Sequence, residues 1–556
     1  MQTARRLYLY LLSGIGLGVL VSGVSLLLTT LFQALGIGGD DVVSGGQVIR
    51  ERLTLATAMS AVSLPVWLIH WTVADRGVRP GRPDAAAERS SDVRGLYFAL
   101  VLGALLIAMF ASAAALVEAV VLALVGDTSQ FSDPAGNLGL LVAAGLAWGY
   151  HLWVRIRDWR HGAIVGAGAA LPRAYLYLAT FAGLFVLLFG IADLLGLVSR
   201  LIVGEPEPAF GSDQPWWSFS LASGVARILI GGATWIGHRW YAKRLWADPT
   251  HRGIDERRSR LRHACDVAVL VVAAAAAIGY LGQGVSGLLD SAFGTFDNPG
   301  HPVAELAAAL AAAALFGIAW RIHAMWLRQA ADEPDGLGAT AADRLVAYPT
   351  AAVGLTFGAV AIARLIGVLL EAVLGGAQVI GGGATSLAVL ADFLPYAFLG
   401  IGVWTWQWSR VTRARIVDPI GEGASTVRRA TLLIVLAVSI LAGVAALGVI
   451  LYRVFGALFG IDVQGNAVSE LSTPLGALLV TIAVAAYHGQ LVRGDAAIRA
   501  AAVEVEASPP VRSVELPLVL VAPPDTDPIA MDDVRRAMET QLPEGYRLRD
   551  DDRRMT

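Results

Sequence analysis

The motif Trp-x-x-His, or a close variant of it, closes a long apolar segment six times along the chain. Its copies are Trp67/His70, Trp148/His151, Trp235/His238, Trp320/His323, Trp404/Gln407 and Ala485/His488, separated by steps of 81 to 87 residues. A constant period over most of a chain is typical of an internal repeat. The sequence therefore predicts six copies of one structural unit.

The composition predicts that these units lie in a membrane. Of the 556 residues, 56% are hydrophobic and only 16% are charged, which is more apolar surface than one soluble core can bury. Apolar windows of about 20 residues, the length that crosses a hydrocarbon layer roughly 30 Å thick, recur throughout. The N-terminal apolar run carries no small-residue cleavage site, so we expect it to be the first span and not a removable signal peptide.

Each repeat begins with an arginine and reaches a glycine 31 or 32 residues later. These pairs are Arg5/Gly36, Arg94/Gly126, Arg173/Gly204, Arg262/Gly294, Arg344/Gly375 and Arg428/Gly460. At about 1.5 Å per residue, such a helix spans the membrane, and a second apolar segment then leads to the Trp/His motif. The predicted fold is an all-α integral membrane protein with twelve transmembrane helices, arranged as six tandem parallel two-helix repeats at about 1-80, 81-165, 166-250, 251-333, 334-418 and 419-492.

Arginine clusters predict the orientation. They occur in the loops between repeats, whereas the loops inside repeats carry almost none. By the positive-inside rule both termini are cytoplasmic, in a bacterial cytoplasmic (inner) membrane. A two-span repeat returns to the side from which it started, so the copies are parallel and not inverted. They could close into a ring or form an open array, and the sequence does not choose between these.

Residues 493-556 form a predicted cytoplasmic tail that is richer in acidic than in basic residues. The segment 514–521 has the pattern of a short strand. Asp527 and Pro528 are typical of a helix start, as N-cap and first helical residue, and the helix is predicted to end at Gln541. The tail could form a small βα unit and bind a cytoplasmic protein partner.

Motifs of soluble enzymes are absent from the sequence. It contains no Gly-Lys-Ser/Thr phosphate loop, no His-Glu-x-x-His and only one cysteine, Cys265. We therefore predict no catalytic residues, no metal site and no cofactor unless the repeated histidines bind haem. The formal net charge of −3 predicts no nucleic-acid partner.

The Trp/His motifs lie just before the arginine clusters, at the predicted cytoplasmic interface. Tryptophan is favoured at that depth because its ring is amphipathic, and a histidine one turn away can bond headgroups or a loop carbonyl. The predicted interface anchors are Trp67, His70, Trp148, His151, Trp235, His238, Trp320, His323, Trp404, Gln407 and His488. The alternative is that the imidazoles gather to bind haem or a metal, which requires two or more to face each other.

Ionisable and polar residues recur eleven and four residues before the repeat glycine in the three middle repeats. These residues are Asp193/Arg200, Gln283/Asp290 and Arg364/Glu371. Seven residues on a helix are nearly two full turns, so each pair shares one face. Glu118, Arg227 and Arg453 add intramembrane charges outside this register. The charges either form interhelical ion pairs or line a polar path, because an unpaired charge in a membrane is costly.

The arginine-led first span, as in Arg94-Gly-Leu-Tyr97, and the Trp-x-x-His end of the second span resemble a family of bacterial integral membrane proteins known only as a repeated domain of unknown function. The resemblance covers roughly residues 1–492 and not the tail. Cys265, Gln407 and Ala485 depart from the pattern. It implies a polytopic fold and no activity.

Three functions fit these features. The first is transport or permeation of a small solute or ion along the charged stripe. The second is a non-enzymatic membrane scaffold or sensor that uses its cytoplasmic tail. The third is a redox subunit that holds haem or quinone.

Overall fold

The computed structural model describes residues 2–37, 46–126, 133–162, 164, 166–203, 217–294, 301–332, 338–374, 383–459, 467–507 and 527–542. Their contacts divide the chain into a large part, Met1–Arg499, and a small part, Ala500–Thr556. In the described residues twelve helices are long and apolar enough to cross a membrane, which confirms the predicted number of spans.

The twelve spans form three four-helix units, each with one additional short helix. Unit I contains α1 (Gln2–Ala34), α2 (Gly46–Gly77), the short α3 (Ala85–Arg89), α4 (Asp92–Leu124) and α5 (Pro134–Arg160). Unit II contains α6 (Ala167–Val203), α7 (Trp217–Trp246), the short α8 (His251–Arg257), α9 (Arg260–Phe293) and α10 (Pro302–Ala331). Unit III contains α11 (Ala339–Leu374), α12 (Gly383–Val417), the short α13 (Pro419–Ala424), α14 (Thr426–Leu458) and α15 (Ala467–Ala507).

The short helices show why two hairpins make one unit. In the described residues they occur between the two hairpins of a unit, as α3, α8 and α13, and not between units. Within unit I, α1 packs on α2 and α5, and α4 packs on α5; unit II repeats this arrangement with α6, α7, α9 and α10. The units contact one another in chain order, α4 packing on α6 and α7, and α9 on α11 and α12.

Glycines allow the first two helices of each unit to approach closely at the Trp motif. A Cβ added to Gly16, Gly183 or Gly354 would lie 3.0, 2.7 or 2.7 Å from the backbone nitrogen of the tryptophan on the facing helix. These glycines stand ten residues after the arginine that pairs with the short helix of their unit, Arg6, Arg173 or Arg344. Small residues permit such contact between backbones in a membrane. The tryptophan therefore lies where the backbones of the two helices are in direct contact.

The C-terminal end differs from the prediction in one respect. Helix α15 does not end near Arg493 but continues to Ala507, because this stretch is rich in alanine, the strongest helix former. In the tail the structure contains α16 (Pro528–Gln541), with the bounds that the sequence predicts. The predicted strand at 514–521 lies outside the described residues.

Candidate functional site

A second motif, Glu-x-x-Ser-x-x-Arg, occurs once in each unit where the short helix meets the third span. Its copies are Glu88/Ser91/Arg94, Glu256/Ser259/Arg262 and Glu422/Ser425/Arg428. The serine lies in the turn, as N-cap of α4, N-cap of α9 and C-cap of α13. The turn thus places an acid and a base on either side of it, at the arginine-rich end of the unit.

The glutamate of this motif joins the short helix to the first span of the unit. The ion pairs are Arg6–Glu88 at 2.8 Å, Arg173–Glu256 at 2.8 Å and Arg344–Glu422 at 2.7 Å. One turn further along the first span, Tyr177 and Tyr348 donate to the same glutamates at 2.6 and 2.8 Å. Each short helix is therefore held by charge and not by apolar packing alone.

In units I and III the motif arginine is buried and bound by an aspartate of the fourth span. Arg94 donates through Nε and Nη2 to Asp158 at 2.9 and 2.5 Å, and through Nη1 to the Tyr10 hydroxyl at 2.8 Å. Arg428 donates through Nε to Asp495 at 2.6 Å and through Nη1 to Tyr348 at 3.0 Å. Pairs of this kind tolerate burial because every charge has a partner. They tie the first, third and fourth spans together.

Unit II departs from this pattern at four positions. Counted from its motif arginine or histidine, it has Ala330 in place of Asp158 and Asp495, Arg239 in place of Trp71 and Trp408, Asp266 in place of Phe98 and Leu432, and Cys265 in place of Tyr97 and Thr431. Arg239, Arg262, Cys265 and Asp266 all line one cavity of about 20 Å³. Three of the four departures, Arg239, Cys265 and Asp266, thus meet at one cavity.

All five histidines of the Trp/His motifs are oriented in the same way. Their Nδ1 atoms lie 2.7 to 3.0 Å from the carbonyl oxygen four residues earlier, in His70, His151, His238, His323 and His488. A carbonyl only accepts, so Nδ1 carries the proton and Nε2 is an acceptor. Tyr8, Tyr97 and Tyr175 donate to the Nε2 of His70, His151 and His238 at 3.3, 2.9 and 3.1 Å.

The proposed headgroup contact of these residues needs correction. His151 and Gln407 are fully buried, and His323 and His488 are only 4% and 2% exposed. The indoles of Trp148 and Trp320 donate to Tyr175 and Thr350 of the next unit, at 3.0 and 3.1 Å. Trp67, Trp235 and Trp404 are half-buried. The motif thus joins helices to one another and does not place His151, His323, Gln407 or His488 against lipid, because the spans pack around it.

Glutamine is expected to replace histidine at these positions better than alanine does. The buried Gln407 accepts a hydrogen bond from Arg410 at 3.3 Å, so an amide already occupies this site in the fifth repeat. We expect His151→Ala to lower stability by about 1–3 kcal/mol, because Tyr97 loses its acceptor, and His151→Gln to cost less than half of that. Thermal unfolding in detergent measures the difference. Equal losses in the two variants would show that the hydrogen bond between Tyr97 and His151 does not stabilise the protein.

The predicted charged stripe is divided among separate contacts. Asp193 of α6 forms an ion pair with Arg227 of α7, and Arg453 of α14 pairs with Glu470 of α15 at 2.8 Å. Arg364 donates to Thr473 at 2.8 Å and stacks over Phe393 at 5.2 Å. Glu118, Asp290 and Glu371 are half-buried, whereas Arg200 and Gln283 are exposed.

Sequence reasoning missed Asp392, which belongs to this set. It lies on α12 and interacts electrostatically with Asp290 of α9 and Arg364 of α11. Its backbone oxygen accepts from Ser286 at 3.0 Å. The stripe was counted on first spans alone, and Asp392 is on a second span. The signal was nevertheless present, as an ionisable residue inside the apolar segment Leu387–Val417.

Twelve apolar helices in three like units, joined by polar clusters at their arginine-rich ends, define a multi-pass α-helical membrane protein with an internal repeat. The chain belongs to the family described as Domain of unknown function (DUF5671), whose model matches residues 6–149, 173–319 and 344–483. Each match covers the four spans of one unit, which confirms the resemblance to a repeated domain of unknown function. No curated protein and no solved structure matches the chain.

Proposed function

We propose that this protein moves a small solute or ion across a bacterial inner membrane, with both termini in the cytoplasm. The observation that carries the proposal is the cluster of Asp290, Arg364 and Asp392, which we call the outer cluster. Its members come from α9, α11 and α12, with Thr473 of α15 bonded to Arg364. Three helices from two units thus bring ionisable groups to one place inside spanning segments, and a fourth helix adds a hydroxyl.

The composition of the outer cluster favours a polar path for a solute over a set of ion pairs that only hold the helices together. A charge in the hydrocarbon layer costs a few kcal/mol unless it is paired or meets water. Arg364 donates to a neutral hydroxyl, and all three ionisable groups are partly accessible. Asp193–Arg227 and Arg453–Glu470 differ from it, because each joins one acid and one base across a single hairpin. Those pairs suit a role in helix registration.

The location of the outer cluster also favours movement of a solute. It lies where unit II meets unit III, and units that contact through few helices can shift as rigid bodies. Parallel repeats support transport in some carriers. A solute that replaced the contacts among these side chains would therefore couple its own passage to a change in the packing of α9 on α11 and α12.

Flux into proteoliposomes tests this function. The probes are K⁺, Na⁺, Cl⁻ and inorganic phosphate, with pyranine inside the vesicles to follow protons. We expect at least one probe to cross faster than in empty vesicles, and Asp392→Asn or Arg364→Gln to slow it roughly tenfold, which corresponds to about 1.4 kcal/mol.

The matched control is the double variant Asp193→Asn/Arg227→Gln, which removes both charges of a hairpin pair and keeps both side chains polar. Its flux is expected to equal that of the wild type. Wild-type flux no greater than that of empty vesicles for every probe would refute the proposal. Equal loss in the control and in the outer-cluster variants would show that the charges only hold the helices in register.

A further inference from the structure

Unit II has Cys265 at the position where unit I has Tyr97, three residues after the arginine of the Glu-x-x-Ser-x-x-Arg motif. In unit I the hydroxyl of Tyr97 donates to the Nε2 atom of His151 at 2.9 Å. The side chain of Cys265 lacks the phenol ring, and its thiol donates to the backbone carbonyl of Tyr177 at 3.4 Å. Unit II therefore has no side-chain hydroxyl at the position that supplies one in unit I.

The histidine of unit II that corresponds to His151 is His323, and it is only 4% exposed. Its Nδ1 atom donates to the carbonyl oxygen of Ala319 at 3.0 Å, which leaves Nε2 as an acceptor. At His70, His151 and His238 a tyrosine hydroxyl donates to this atom. Within the described residues no hydrogen bond is formed to the Nε2 atom of His323, and a buried acceptor without a donor is unfavourable.

A donor without a partner lines the same space. The indole N–H of Trp235 is buried and forms no hydrogen bond in the described part of the chain. Trp235 and His323 both line the cavity of about 20 Å³. In unit I the rings of the corresponding residues, Trp67 and His151, have their centroids 6.5 Å apart. One donor and one acceptor, both unused, are therefore available to a group inside this cavity.

The size and the polarity of the cavity suit a single oxygen atom. A cavity holds a water molecule when it offers roughly 10–15 Å³ or more of such volume and a few polar partners. The cavity of unit II, at about 20 Å³, exceeds that volume. Besides Trp235 and His323, its wall includes Arg239 and Asp266, which interact electrostatically with each other. An apolar cavity of this size would stay dry, whereas this one presents polar groups from α7, α9 and α10.

We propose that this cavity binds one exchangeable hydroxyl group, which accepts from the indole N–H of Trp235 and donates to the Nε2 atom of His323. Unit I holds the corresponding hydroxyl covalently, in Tyr97, whereas unit II takes it from the surroundings. The ligand is a water molecule or a small alcohol, because both present the same O–H group and only one oxygen fits. The bound group is neutral, and the site does not depend on the transport proposal.

Nuclear magnetic resonance of the full chain in nanodiscs, with isotopic labelling of the tryptophan indole nitrogens, tests the site. The signal of Trp235 is the one that disappears in Trp235→Phe. A rotating-frame cross-peak between its N–H and water identifies a water molecule, and the sign of that peak distinguishes bound water from chemical exchange. A saturable shift of the same N–H on addition of methanol identifies a site that also admits an alcohol. Absence of both signals in the wild type would overturn the proposal.

His323→Phe removes the acceptor and places apolar atoms in the cavity, so we expect it to abolish the ligand signal at Trp235. The matched control is His488→Phe, which changes the equivalent buried histidine of unit III and is expected to leave that signal unchanged. The remaining indole signals show whether each variant is folded, and the wild-type spectra decide alone if one is not. A signal that persists in folded His323→Phe, or that folded His488→Phe also abolishes, would contradict binding in this cavity.

Discussion

Replacing Asp158 by alanine is expected to destabilise the protein by about 3–5 kcal/mol, because it removes the carboxylate to which the buried guanidinium of Arg94 is hydrogen-bonded. Arg94 has no solvent exposure, and Asp158 is 1% exposed. Both donors on the Nε edge of the guanidinium lose their acceptor. The hydroxyl of Tyr10 at 2.8 Å and the more distant carboxylate of Asp75 at 3.8 Å remain. Thermal or denaturant unfolding in detergent measures the loss.

Asp343→Ala is the matched control for this prediction. Asp343 also accepts from an arginine at 2.8 Å, but its side chain is 54% exposed, and exposed pairs contribute about 0–1 kcal/mol. Acetate or formate is expected to restore part of the stability of Asp158→Ala and none of that of Asp343→Ala. Equal losses in the two variants would show that burial of Arg94 has little energetic weight.

Replacing Gly400 by alanine is expected to separate α11 from α12 and to cost about 1–3 kcal/mol, the usual range for overpacking. An added Cβ would meet the backbone of Gly358 and would lie 2.7 Å from the carbonyl oxygen of Gly354. Backbone atoms cannot rotate out of the way as a side chain can. The whole helix must therefore shift, and with it the neighbouring Trp404.

Gly402, two residues further along the same helix, has open space around its added Cβ. Gly402→Ala is expected to raise stability by up to about 1 kcal/mol, because alanine loses less backbone entropy in a helix than glycine. The two variants have the same composition, so their unfolding temperatures in one detergent compare the sites directly. A gain at both positions would mean that α11 and α12 are not in close contact.

Much of the architecture followed from local properties of the sequence. The Trp-x-x-His period, the apolar windows and the arginine clusters predicted twelve spans and a repeat, since hydropathy and spacing do not depend on where a segment is placed. The four-span unit could also have been predicted from the sequence, because Glu-x-x-Ser-x-x-Arg occurs only once for every two Trp/His motifs. Counting that motif would have identified three units directly.

The partners of the charged residues did not follow from the sequence. The register argument grouped Asp193 with Arg200, whereas the structure pairs Asp193 with Arg227 on the next helix. Asp392 belongs with Asp290 and Arg364, on helices that the register did not compare. A helical face gives the direction of a side chain, but the rotation and neighbours of each helix are set by packing across the whole bundle.

The sequence by itself determined the number of spans, the repeat and the membrane class of this protein, because each depends on the properties of one segment at a time. Only the tertiary structure decided that His151 and Gln407 are buried between helices, and that Arg239, Cys265 and Asp266 line one cavity. The physical reason is that burial and electrostatic pairing depend on residues far apart in the chain, such as Arg94 and Asp158 at 64 positions or Arg364 and Thr473 at 109, and folding alone brings them together.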